Sequence, residues 1–330
     1  MHYLFLHKLF FMLTRSDLAA IRELITPQFP NVSFFSFAEK IINQAINNGR
    51  TKTAAGYATA VNHLRRFARG SRLKFEDFTA PYLAAFKDYL LARSSPDNAA
   101  AVLVNLRTIY NRFANYYDID RQPFKRLKIK RQSKNQGGNR ALSAQQIKKI
   151  FDYVPSNVFT EMARDIFELS FNLCGINVCD LYELRASALR HNSITYQRKK
   201  TRDRRADRAE ITIKLTYRAA FLFNKYFDPF CRRALNFYNR YSTAEGFLKM
   251  INKHLKIIGD AVGVPNLTSY FARHSWASIA FNDCNINIED ITQALNHVNR
   301  DHLTDFVYIK KNFSRVDAAN LLVFKRVYEQ

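Results

Sequence analysis

The chain has 330 residues, a formal net charge of +23 and 47% hydrophobic residues, enough for two domains with real cores and basic enough to need a polyanion or an anionic surface as partner. Nine glycines and eight prolines exclude collagen-like and low-complexity classes. The four cysteines, Cys174, Cys179, Cys231 and Cys284, are scattered in apolar segments without further ligands at zinc spacing, which suits reduced, buried thiols in a cytoplasmic protein and no metal site.

Residues 1–14 are strongly apolar, but His7 and Lys8 interrupt the run and no small-residue cleavage site follows. They read as a docking helix within an N-terminal extension, 1–32, in preference to a signal peptide. The run is too short to span a bilayer, and no other stretch suits one. From Ser36 the pattern is helical. Ser36-Phe37-Ala38-Glu39 has the form of a capping box. A second helix is predicted over 53–69, with Tyr57, Val61, Leu64, Phe67 and Ala68 on one face and Gly70 as its stop. A third follows Thr79-Ala80-Pro81 and a fourth follows Ser95-Pro96, each with proline suited to the first turn. These four make a helical bundle over 33–120.

Residues 121–140 form a basic, glycine-containing linker. Lys125, Arg126, Lys128, Lys130 and Arg131 are either a solvated charge run or a strap laid on DNA phosphates between two domains, and the overall charge favours the strap. Leu142-Ser143 opens a second domain, 141–330, with helical patterns over 143–152, 159–173 and 178–184. Residues 193–197 and 210–215 read as short strands flanking the run Arg198 to Arg208. Helices return from Tyr217, and the tail 312–330 carries Val316, Ala319, Leu322, Val323 and Val327 at helical spacing. The fold class expected is mainly α with a small β-sheet.

Chemistry concentrates late in the chain. In Leu267-Thr268-Ser269-Tyr270-Phe271-Ala272-Arg273-His274-Ser275-Trp276, an arginine and a histidine sit within an apolar run. A guanidinium there can clamp two phosphate oxygens; its bland alternative is a buried salt bridge. His297 can move a proton or hydrogen-bond a phosphate, or simply end a helix. His274, adjacent to Arg273, points elsewhere on a helix and is assigned a supporting role. Tyr308 is a candidate nucleophile once a base takes its proton and cations hold the pentavalent phosphorane; as one of 17 tyrosines it is otherwise a packing residue. Lys200, between the two strands, can protonate a departing 5′ oxygen; Lys199 is its rival, and Arg198 and Arg202 suit phosphate contacts.

In this order, Arg273-His274, Ala294-Leu295-Asn296-His297 and Phe306-Val307-Tyr308-Ile309 resemble the catalytic half of tyrosine recombinases, the phage-integrase family, with wording similar to integrases of Bacteroides-type mobile elements. The resemblance covers roughly 33–325. It implies an N-terminal SAM-like core-binding bundle and a C-terminal tyrosine-recombinase catalytic domain. It further implies a 3′-phosphotyrosyl intermediate, no cofactor, double-stranded DNA with specific recombination sites as partner, and a homotetramer on that DNA, with the tail helix docking on a neighbouring subunit; the equal alternative for that helix is packing on its own domain. The Lys-Thr of Lys200-Thr201 after Tyr196-Gln197-Arg198 matches the family pattern and favours Lys200 over Lys199. Phe167 to Leu181 resembles the first-arginine segment, with Asn177 where the arginine stands and Asp180 as the supporting acid. Tyr270 replaces the histidine of the His-x-x-Arg box, and the gap from His297 to Tyr308 is about two residues longer than usual. Loss of one such donor costs about 10²–10³ in rate, and Arg164 or Arg185 are candidates to compensate. Two rival readings remain at this level: a DNA-binding protein that has lost catalysis, favoured by Asn177 and Tyr270, and a type IB topoisomerase. A membrane-surface protein fits less well, because the charge lies in a linker and a hairpin.

Overall fold

A computed structural model describes residues 14, 32–70, 72–120, 122–125, 127, 140–297 and 313–329. The chain divides into two compact units, 1–137 and 138–330. Among the described residues the first unit holds α1 (Phe34–Asn47), α2 (Thr51–Phe67), α3 (Ala80–Leu91) and α4 (Pro96–Tyr116). Thr79 and Ser95 cap α3 and α4 through their hydroxyls, and proline occupies the first turn of each.

The start of α1 differs from expectation. Ser33, not Ser36, is its N-cap, and Ser36 lies inside the helix. The entry is fixed from outside, because the Phe34 amide donates to the Leu73 carbonyl at 2.8 Å and Phe34 is fully buried against Phe75 and Phe78. Glu39, expected to close the capping box, instead pairs with Arg65 on α2. That helix ends at Phe67, because Arg69 already adopts a left-handed φ of 52° before Gly70. The bundle core also takes in Phe124, beyond the fourth helix.

The second unit contains α5 (Ala144–Phe151), α6 (Val158–Asn172), α7 (Val178–Tyr182), a three-stranded antiparallel sheet, α8 (Tyr217–Lys225), α9 (Ala244–Val262), α10 (Tyr270–Asn282), α11 (Ile288–Ala294) and α12 (Phe313–Tyr328). The sheet runs β1 (Leu189–Arg190), β2 (Ser193–Gln197), β3 (Glu210–Lys214), with Ile194 opposite Ile213, both fully buried. The two-residue β1 carries no readable alternation and was not predicted. The longer pair matches its pattern, with β-branched residues on a half-buried pleat.

Helix α6 is the centre of this unit, packed by α9, α10 and α8. It buries Asp165 and Glu168, which is tolerable only with close partners. Asp165 meets Arg164, Lys225 and the Tyr226 hydroxyl, while Glu168 meets Arg218 and the Tyr328 hydroxyl. Arg164 also donates to the Tyr153 carbonyl, so it is spent on this scaffold. Of the cysteines, all four are free thiols and Cys174 is buried, but Cys231 is exposed, since it lies in an irregular segment at a left-handed φ of 51°. Among the described residues no cluster of His, Cys, Asp or Glu is placed to hold a metal ion, and no helix is long and apolar enough to cross a membrane.

The tail helix α12 packs on its own unit through Val316, Ala319, Val323 and Val327, whereas Leu322 is half exposed beside Leu321. The inward stripe runs through Asn320 and Phe324 instead, which follow the 3.6-residue period more closely. Asn320 is the polar pin of this docking. Its Oδ1 accepts from the indole N–H of the fully buried Trp276 at 2.9 Å, and its Nδ2 donates to the Asn172 carbonyl at 2.7 Å. Asn320→Ala leaves both groups buried without partners and is expected to destabilise the unit by about 2–4 kcal/mol; urea unfolding followed by Trp276 fluorescence checks this.

Candidate active site

Three separate segments converge on Arg273. It sits on the first turns of α10, where Ala272, Ser275 and Trp276 are fully buried, and is itself only 8% exposed. A buried guanidinium needs acceptors for its donors. Nη1 donates to the Gly175 carbonyl at 3.0 Å, and Nη2 donates to the Leu295 carbonyl and approaches His297 Nε2 at 3.1 Å. Burial first, then the charge of Arg198, lowers its pKa from the usual arginine value. No carboxylate pairs with it among the described residues.

Gly175 explains how the chain passes so close. After α6, Gly175 takes φ +71°, and its amide closes the helix end on the Ser170 carbonyl. A Cβ there would lie 2.4 Å from Arg273 Cα. Only glycine satisfies both the left-handed turn and the contact.

His297 follows α11. Leu295 is the helix C-cap, Asn296 takes a left-handed φ of 50°, and the His297 amide donates to the Thr292 carbonyl. Because arginine only donates, His297 Nε2 accepts, which leaves Nδ1 as the protonated nitrogen. The imidazole reaches the surface. Partial desolvation, and then the charges of Arg273, Arg198, Lys200 and Arg205, push its pKa down to about 4. It is a neutral base at neutral pH.

The hairpin between β2 and β3 brings the remaining cations. Asp180, whose pKa burial raises, accepts the Lys199 amide at 3.2 Å and so ties the turn to α7. The Lys199 ammonium is paired with Glu183. Lys200 and Arg198 have no ion pair among the described residues, and both charges are felt at His297. Arg202 is half-buried, with a loose contact to Asp203. Tyr196, half-buried on β2, has its phenol pushed well above the ordinary range by desolvation and then by Asp180.

Other predicted residues stand further out. Asn177 is the N-cap of α7; its Oδ1 accepts the Cys179 amide at 2.9 Å, leaving only the amide nitrogen for a ligand. Tyr270 is exposed at the start of α10, and its ring meets that of His274 edge-on at 4.8 Å. His274 lies on the exposed side of α10, away from the buried Arg273. Arg185 is exposed along a cavity shared with Asp180, Glu183 and Lys199. Lys125 is exposed in the first unit. Tyr308, Arg126, Lys128, Lys130 and Arg131 lie outside the described residues. Sequence reasoning missed Gly175, the Leu295 carbonyl, Asn296 and Arg205. Only the glycine left a signal, as the one small residue between α6 and Asn177.

The depressed His297 pKa has a definite sign. The neutral ring contributes stability above the ordinary histidine pKa of about 6.5, and that contribution is lost as pH falls from there toward 4. Titration of the His297 Cε1 resonance is expected to show a midpoint near 4 in the free protein, moving upward when an anion occupies the site; a midpoint at the ordinary value would show that the cations do not surround it.

Residues 33–136 match the family model described as a phage integrase SAM-like domain. Among curated proteins no sequence matches the chain. Among solved structures, a lambda integrase (75–356) dimer bound to a COC′ core site is similar at 16% identity, over 85% of this chain and 99% of that one, with TM-score 0.63. The Tn1549 transposon integrase (82–397) in complex with transposon right end DNA is similar at 13% identity, over 86% and 97%, with TM-score 0.63. A lambda integrase tetramer bound to a Holliday junction matches at 16% identity, over 88% and 85%, with TM-score 0.60. Residues 33–136 therefore match a phage integrase SAM-like domain, and the chain shares the fold of the lambda and Tn1549 integrases.

Proposed function

We propose that this protein is a site-specific DNA recombinase, an integrase, that cuts and rejoins duplex DNA through a 3′-phosphotyrosyl link. The observation that carries the reading is the meeting of Arg273, a neutral His297 and two cations, Lys200 and Arg198, that make no ion pair among the described residues. The Tyr308 oxygen forms a bond to phosphorus as the phosphorus–O5′ bond breaks. The phenol proton passes to His297 Nε2 as Arg273 turns its Nη2 donor from that atom to the phosphate, and the departing O5′ takes a proton from Lys200. Arg273 holds non-bridging oxygens of the phosphorane. The 5′-hydroxyl of a partner duplex reverses the step. Lys199 is held by Glu183, away from a departing O5′, which favours Lys200. Arg198 supplies the second positive charge that Asn177 lacks, in place of Arg164 or Arg185. Lys125 and the basic residues up to Arg131 contact backbone phosphates, together with Arg202. Tyr270 and His274 border the site, and Asp180 steadies the hairpin. Assembly as a homotetramer on DNA, with the exposed Leu321 and Leu322 of α12 toward a neighbouring subunit, fits the same reading.

Asn177 favours one rival. Its committed Oδ1 makes it a weak phosphate ligand, as in a protein that binds specific DNA without cutting it. The test is a nicked suicide duplex carrying the sequence that the protein selects from a random pool, followed by denaturing gels. Wild type is expected to give a covalent band that Tyr308→Phe lacks. Specific binding without a band in wild type would establish the inactive reading.

Charge substitutions separate the roles. Arg198→Gln is expected to slow adduct formation by about 10²–10³, measured in single turnover with saturating protein. Lys125→Gln is expected to leave that rate unchanged and to reduce the salt slope of binding by about one.

A further inference from the structure

The turn from 198 to 209 carries seven Arg or Lys against two Asp, so self-repulsion drives it open. It is nevertheless closed by a compact set of bonds to a segment 91 residues away. Arg205, with its side chain 11% exposed, grips Asp207 with two parallel bonds, Nε to Oδ1 at 2.8 Å and Nη2 to Oδ2 at 2.5 Å. Its remaining Nη1 donates to both oxygens of Asn296, the carbonyl at 3.1 Å and Oδ1 at 2.8 Å. Asn296 returns the contact, donating from Nδ2 to the Ala209 carbonyl at 2.7 Å. That carbonyl also accepts the Arg198 amide, which closes the ends of the turn on each other. Asn296 is 5% exposed and Ala209 fully buried, so these bonds are shielded from water.

Asn296 directly precedes His297, and Lys200 lies inside the closed turn. The bonds thus join the candidate acid to the candidate base. Asn296 holds a left-handed φ of 50°, a conformation asparagine tolerates far better than most residues. The position therefore supplies both the bend that presents His297 and the amide that grips the hairpin.

We propose that Arg205, Asp207 and Asn296 are positioning residues, a clasp that fixes the Lys200 turn against the His297 segment before DNA arrives. The proposal rests on the recombinase reading. Without the clasp, the lysine samples many positions, and its alignment with O5′ must be gained during the reaction.

Asn296→Gly keeps the left-handed backbone and removes the amide; Arg205→Gln removes the fork from the other side. Each is compared with wild type on the selected suicide duplex and on the same duplex with sulfur in place of the scissile O5′. A thiolate departs without a proton, because thiols are far more acidic than alcohols. On ordinary DNA both variants are expected to form adduct about 10- to 100-fold more slowly, with unchanged DNA affinity and with thermal midpoints that are lowered but still above the assay temperature. On sulfur-substituted DNA they are expected to approach the wild-type rate, as a misplaced acid predicts. The double variant is expected to be no slower than the worse single one. A wild-type rate on ordinary DNA for both variants, or an equal loss on both substrates, overturns the clasp while leaving the recombinase reading intact. Absence of adduct from wild type on either substrate overturns both.

Discussion

Burying Arg273 is the constraint on which the second unit is organised. Among the described residues this guanidinium meets no carboxylate and is held by backbone carbonyls and a neutral imidazole. Those acceptors do not cancel its charge. They orient it, leaving the cation available to an anion that approaches from solvent. A carboxylate partner would have stabilised the free protein more and weakened every later interaction with a phosphate.

Much of the surrounding fold follows from supplying those acceptors. The Gly175 carbonyl comes from the end of α6 and the Leu295 carbonyl from the end of α11, two places where a helix leaves carbonyls without internal partners. Helix ends are thus turned inward onto the cation. Elsewhere the unit treats charge in the opposite way. Asp165 and Glu168 on α6 are each saturated by cations and a tyrosine hydroxyl, and nothing there is left to react. The contrast between saturated acids and an incompletely neutralised arginine marks the site independently of any resemblance.

The elements were legible where a local rule dominates. Pro81 and Pro96 just inside their helices, the Ser143 cap and the alternation in β2 and β3 all act within a few residues. The start of α1 was not, because its entry depends on Leu73 and Phe75, about 40 residues away in sequence. Leu322 was misplaced by counting apolar residues on a helix whose inward stripe includes the polar Asn320. At the site, Arg273 stood out because a charge amid apolar neighbours is conspicuous. Arg205 did not, since seven cations in one turn look alike until one is seen bonded to Asn296. The roles of Arg198 and Lys199 separate only through position, since Glu183 occupies one of these side chains and not the other.

Like charges held together favour a reaction only if the reacting group becomes more negative as it proceeds. A phosphodiester carries one negative charge, and its pentavalent intermediate concentrates more on the equatorial oxygens. Arg273, Arg198 and Lys200 repel one another in the free protein, and their charges add to partial desolvation in disfavouring a proton on His297. A diester relieves part of that repulsion and a phosphorane relieves more, so the arrangement favours the transition state over bound DNA. On this argument the absent charge at Asn177 matters less than the number of cations the site retains. A site with one arginine replaced keeps its differential stabilisation if another cation, fixed on the hairpin, stands within reach of the same oxygens. The hairpin must then be rigid, because a cation that moves to meet the phosphate offers similar stabilisation to the ground state and to the transition state. Rigidity of the turn and substitution at Asn177 are in this sense two parts of one solution, the first making the second tolerable.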